Sequence, residues 1–116
     1  MMRGLAAWLA LELAGCLTAH AASPEDRTAL LGGREVHEEC TDLEPGQTLT
    51  YSFTCSGPLD FNIHYHDRLQ AHYPVVERHA QSVQGRFRAP HKDTYCLMWT
   101  NPESAEVDLT YRFTLD

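Results

Sequence analysis

Thr48-Leu49-Thr50-Tyr51-Ser52-Phe53-Thr54-Cys55 alternates without a break. Leu49, Tyr51, Phe53 and Cys55 occupy one set of positions, and Thr48, Thr50, Ser52 and Thr54 the other. Successive side chains of a strand point to opposite faces, so a period of two gives one apolar and one hydroxyl face. A helix would scatter the same residues around its axis. Ser56-Gly57-Pro58 interrupts the pattern, and Leu59-Asp60-Phe61-Asn62-Ile63-His64-Tyr65-His66 resumes it. There Leu59, Phe61, Ile63 and Tyr65 share the apolar face, leaving His64 and His66 together on the other.

The same period extends in both directions. Upstream, residues 34–40 read as a strand. Glu44-Pro45-Gly46-Gln47 follows, with Pro-Gly at the centre of a type II turn. Downstream come a polar loop through Asp67 and Gln70, a strand near residues 74–79 and a short strand near 85–88. After a turn at residues 89–93, residues 94–100 form a strand, with Tyr95, Leu97 and Trp99 on one face and Cys96 and Met98 on the other. A turn at residues 101–104 leads to a last strand, 106–115, whose core face is Val107, Leu109, Tyr111, Phe113 and Leu115. Seven short strands separated by turn signals predict an all-β fold, a small two-sheet antiparallel β-sandwich over residues 34–116. A core of this size is thin, and a disulfide would help it.

Residues 1–33 lie outside that sandwich. Met1-Met2-Arg3 followed by an apolar run to Ala14 reads as a secretory signal, too short to span a bilayer. Two cleavage readings stay open. Ala19-His20-Ala21 gives a signal peptide of residues 1–21. Leu13-Ala14-Gly15-Cys16 resembles a bacterial lipobox, giving a signal of residues 1–15 and lipidation at Cys16. Residues 22–33, with Pro24, Glu25-Asp26 and Gly32-Gly33, read as a flexible tether. Either way the expectation is an exported bacterial protein, periplasmic or a membrane-anchored lipoprotein. The net charge of −7 disfavours nucleic acid as a partner. Membrane contact is expected only through a lipid on Cys16.

Histidine and sulfur carry the sharpest chemical signal. If the strands of His64 and Cys96 are neighbours, two imidazoles face a thiol and a thioether. Imidazole with soft sulfur suits copper, above all Cu(I). The expected metal ligands are therefore His64, His66, Cys96 and Met98, with zinc as the rival ion. The plainer alternatives are solvated histidines, a structural disulfide at Cys96, and Met98 as a gap filler. His72 and His79 could add a ligand. His37 with Glu35 and Glu39 is expected on an outer strand face.

The carboxyl-terminal half also resembles a known family. Phe87-Arg88-Ala89-Pro90, Asp93-Thr94-Tyr95-Cys96-Leu97-Met98-Trp99-Thr100-Asn101 and residues 107–113 are similar to the end of a GOLD domain. Residues 46–53 and 59–63 look like its first half. GOLD domains occur in eukaryotic cargo receptors of the early secretory pathway and in lipid-transfer proteins. The resemblance covers residues 40–115 and implies a β-sandwich with the strands of His64 and Cys96 side by side. The cargo receptors' coiled coil and membrane span have no counterpart in this sequence, so the fold alone is carried over.

After processing, Cys40, Cys55 and Cys96 are the disulfide candidates. The resemblance implies Cys40 with Cys96. Cys40 with Cys55 would leave Cys96 free. Cys55 with Cys96 would join a core face to an outer face. A bonded Cys96 would reduce the metal set to His64, His66 and Met98.

Three functions follow as expectations. The first is an exported copper-binding module for metal handling or delivery. The second is a protein-interaction or structural module of the cell envelope with no metal, whose partner is another envelope protein. The third is an enzyme built on a Cys96–His64 nucleophile pair. It is set aside because no oxyanion-hole loop or paired-carboxylate cleft accompanies that pair.

Overall fold

A computed structural model describes residues 25–116. The signal readings, Cys16 included, lie outside these residues. Among them six strands form: β1 (Arg27–Leu31), β2 (Val36–Leu43), β3 (Thr48–Asp67), β4 (Gln70–Arg88), β5 (Asp93–Thr100) and β6 (Val107–Leu115). All pairings are antiparallel, in the order β1-β6-β3-β5-β2, with β4 along the other side of β3.

The expectation of seven short strands is corrected in two ways. Residues 48–55 and 59–66 belong to one strand of 20 residues, and the two strands expected between residues 74 and 88 belong to one of 19. Ser56-Gly57-Pro58 bends β3 without ending it. Pairing with β4 runs regularly to Thr54–Ser82 and resumes at Leu59–Ala80, so four β3 residues stand opposite Gln81 alone. A bulge of this kind bends a strand and raises its twist. The tether expected at residues 22–33 is also corrected, because β1 forms within it and pairs with β6 from Arg27–Tyr111 to Leu31–Val107. Leu31 is buried, which a solvated tether would not allow.

The bend makes one long hairpin serve two layers. The first half of β3 lies between β6 and β4, at Tyr51–Phe113 and Tyr51–Gly85 for instance. Its second half lies between β5 and β4, at Ile63–Leu97 and Ile63–Val75. The apolar faces of the halves meet in one core. Phe53 packs edge-on to Trp99 at 5.8 Å, Tyr51 lies 5.3 Å from Phe61, and Trp99 lies 4.5 Å from Tyr111 between ring centroids. Leu49, Leu59, Ile63, Tyr95, Leu97 and Leu109 belong to it as well. Leu115, expected in the core, stands half-exposed at the sheet end.

The turns follow local chemistry. Gly46 takes φ +81°, and Gln47 N–H donates to the Glu44 carbonyl at 3.0 Å, as a type II turn requires. Asn101 ties the corner after β5. Its buried amide donates to the carbonyls of Leu31, Gly32 and Ala105 and accepts from Glu103 N–H.

Candidate functional site

The outer face of β2, β5 and the second half of β3 carries the residues singled out by the sequence. Direct register partners share a face. Cys96 lies opposite both Cys40 on β2 and His64 on β3, and Met98 lies opposite Glu38 and Asn62. The expected adjacency of the His64 and Cys96 strands therefore holds. The free thiolate does not: Cys40 and Cys96 form a disulfide. Cys96 is thus corrected as a metal ligand, because a disulfide sulfur carries no thiolate. The Cys40–Cys96 pairing is the one the family resemblance implies. Among the described residues Cys55 is free and half-buried beside β6, where burial pushes its thiol up to about 11.

His64 is buried, and its Nδ1 lies 2.7 Å from Asn62 Oδ1. An amide oxygen only accepts, so Nδ1 carries the proton and Nε2 keeps the lone pair of a neutral ring. Nε2 faces the Glu38 carboxylate at 3.8 Å. Burial holds the imidazole below its ordinary value; Glu38 opposes that shift and His66 adds to it. His66 meets His64 edge-on at 5.2 Å and is itself exposed. Glu38, His64 and Cys96 bring one potential ligand atom each within 4.8 Å of the others. With the sulfur oxidised, one imidazole and one exposed carboxylate remain in that group.

The other histidines stand apart. His72 stacks on Tyr65 at 4.9 Å and is its register partner, on the face opposite His64. His79 sits in a bulge at φ +50°, and its backbone N–H donates to Asp60 Oδ1. Neither reaches His64. The outer-face expectation for His37 is corrected: it hydrogen-bonds Tyr111 Oη at 2.9 Å and lies against Trp99. Glu39 pairs with Arg27, and Glu35 accepts from Gly32 N–H.

A second feature of this face escaped the sequence reading. Arg68 and Leu69 alone connect Asp67 to Gln70, with Arg68 at φ +55°. Leu69 is fully exposed at the tip. Tyr73 and Val76 follow on β4, 54% and 51% exposed. With Asp60, Asn62 and Arg78 they border a shallow depression of about 270 Å³. Tyr73 also leans on His64, 5.6 Å away. A leucine between arginine and glutamine in a polar turn was the available signal.

Among known proteins, no family model matches the chain, and no curated protein matches it. Solved structures do resemble it. The crystal structure of Aeromonas hydrophila PliG, a periplasmic lysozyme inhibitor of g-type lysozyme, superposes with a TM-score of 0.64 at 16% identity. The match covers 83% of this chain and 89% of that one. A solution structure of a de novo designed double-stranded β-helix reaches a TM-score of 0.47 at 12% identity, covering 78% and 99%. The likeness to PliG establishes a shared all-β antiparallel fold.

Proposed function

We propose that this chain is an exported protein-interaction module, binding rather than catalytic, which grips its partner with the β3–β4 tip and the adjoining outer face. The observation that carries this reading is the apolar exposure of Leu69, Tyr73 and Val76 on one hairpin. Tyr73 and Val76 border one depression with a polar rim, and exposed apolar surface of this kind marks interaction sites. The two-residue turn and the packed aromatic base beneath it, Tyr65 with His72, His91 and Tyr95, hold the tip in place. A preorganised tip loses little entropy on binding. Export is supported by the Cys40–Cys96 disulfide, a bond that persists in oxidising compartments, together with the signal-like amino terminus. Lipidation at Cys16 belongs to the same proposal. The GOLD resemblance supports a β-sandwich and adds no partner.

The partner class is suggested by the fold neighbour, a periplasmic lysozyme inhibitor. A g-type lysozyme is therefore the first partner to test. Binding would be measured by calorimetry, and inhibition by the clearing rate of a peptidoglycan suspension, for the unaltered chain, Leu69→Asp and Tyr73→Ser. The reading expects inhibition that each substitution weakens tenfold or more, as for an anchor residue. No binding by the unaltered chain removes this partner. Binding insensitive to both substitutions removes this surface.

One observation favours a second reading, copper binding at His64, His66 and Met98. The His64 Nε2 lone pair faces Glu38, with His66 alongside. A Cu(I) titration against a chromophoric chelator tests it. One tight equivalent lost in His64→Ala/His66→Ala supports it, and zinc in place of Cu(I) tests the rival ion.

A further inference from the structure

β4 is an edge. It pairs with β3 along its length and with no other described strand. A bare edge presents unpaired N–H and C=O groups, and proteins usually guard it. The first half of β4 is guarded. Pro74 lacks an N–H, the register with β3 shifts on either side of Phe61 to Ile63, and His79 turns the backbone to φ +50°. Residues 82–88 carry none of these devices and pair with Thr48 to Thr54 residue for residue.

The direction of the backbone groups there is fixed by the neighbours. Ala89 donates its N–H to the Gln47 carbonyl at 2.9 Å and accepts from Gly46 N–H at 2.7 Å. Thr48 turns the other way and exchanges both its bonds with Asp116 on the β6 side. Sides alternate along an antiparallel ladder. Phe87, Gly85 and Val83 therefore address β3, while Arg88, Arg86, Gln84 and Ser82 turn their N–H and C=O groups to the open edge. On the inner face of this stretch Val83 and Phe87 are only partly buried.

We infer that residues 82–88 pair with the same stretch of a second copy of this chain, antiparallel, about a two-fold axis at Gly85. This register sets Val83 against Phe87 of the second copy, apolar on apolar at the core rim. It sets Gln84 against Arg86 and Ser82 against Arg88, so no guanidinium directly opposes another. Shifting the axis to Gln84 places Val83 against glycine and Phe87 against Gln81. Shifting it to Arg86 sets Arg86 against itself, a destabilising like-charge pair. Gly85 at the axis lets the backbones approach, and the Tyr51 ring fills the space above it: a Cβ there would overlap the Tyr51 phenol. The two sheets become one across the axis, leaving the β3–β4 tip of each copy outside the interface.

Sedimentation equilibrium of the purified chain tests the pairing, with amide exchange as a second readout. The unaltered chain should show twice the monomer mass, and amide exchange at Gln84 and Arg86 should slow tenfold or more as concentration rises through the transition. Gln84→Pro removes an edge-facing donor while keeping every bond to β3, a position where proline is tolerated. It should be monomeric with an unchanged circular dichroism spectrum, and Ser82→Pro provides an independent repeat. A monomer at every concentration overturns the inference. So does a dimer indifferent to both prolines, or exchange at Gln84 and Arg86 that does not respond to concentration.

Discussion

His64 shows how a single side chain links burial to pH. Its imidazole titrates below the ordinary 6.5 because burial penalises the charged ring, with Glu38 only partly compensating. The unfolded chain keeps the ordinary value and takes up a proton first as pH falls. The contribution of His64 to stability is therefore intact above that value and declines below it. Urea midpoints measured at about pH 7.5 and about pH 5.5, either side of the histidine range, should drop more for the unaltered chain than for His64→Gln. Equal drops would show that the ring is free to charge in place. Asn101 is the other residue whose chemistry exceeds its size. One fully buried amide shares its two N–H groups among three carbonyls and accepts a backbone N–H. Asn101→Ala leaves buried polar groups unpaired and should cost about 1–3 kcal/mol in urea unfolding.

At the scale of elements, the disulfide holds β2 to β5. β2 is a largely exposed strand, Leu43 apart, with little apolar surface to bury. Cys40–Cys96 spans 56 residues of sequence. Cys40→Ala/Cys96→Ala should lower the stability of the domain by roughly 2–4 kcal/mol, read from denaturant unfolding. The loss should match that from reduction of the unaltered protein, since both remove the same cross-link. The alternation on β3, β5 and β6 was legible because each strand has a buried and an open face. The length of β3 was not. Gly57 and Pro58 locally read as a break, yet pairing on both sides carries the strand through, and only the partners' positions decide between a bend and an end.

For the molecule as a whole, β1 completes the first layer. Its sequence, Arg-Thr-Ala-Leu-Leu, is too short and too polar at its start to identify itself. It becomes a strand because β6 offers a free edge and the core offers a place for Leu31. Arg27 then pairs with Glu39 and lies 5.2 Å from the Phe113 ring centroid, joining the two layers at their rim. A chain beginning at residue 33 should lose about 2 kcal/mol or more, since burying a leucine contributes about 1.5–3 kcal/mol and the β1–β6 ladder adds to it. Hydrogen exchange should show the loss first at β6 amides. An unchanged unfolding midpoint would mean that β1 is only draped on the domain.

The sequence by itself determined the periods, and through them the all-β class and which side chains share a face on each strand. Those are properties of alternation, which each strand carries within its own residues. Tertiary structure decided what alternation leaves open. It set which cysteine Cys96 meets, and so whether a thiolate exists. It turned His37 inward to Tyr111, made a strand of 27–31, left Leu69 exposed, and left the outer edge of the second half of β4 unpaired among the described strands. Each of these depends on residues far apart in the chain, and contacts at such separations are fixed by packing the whole core.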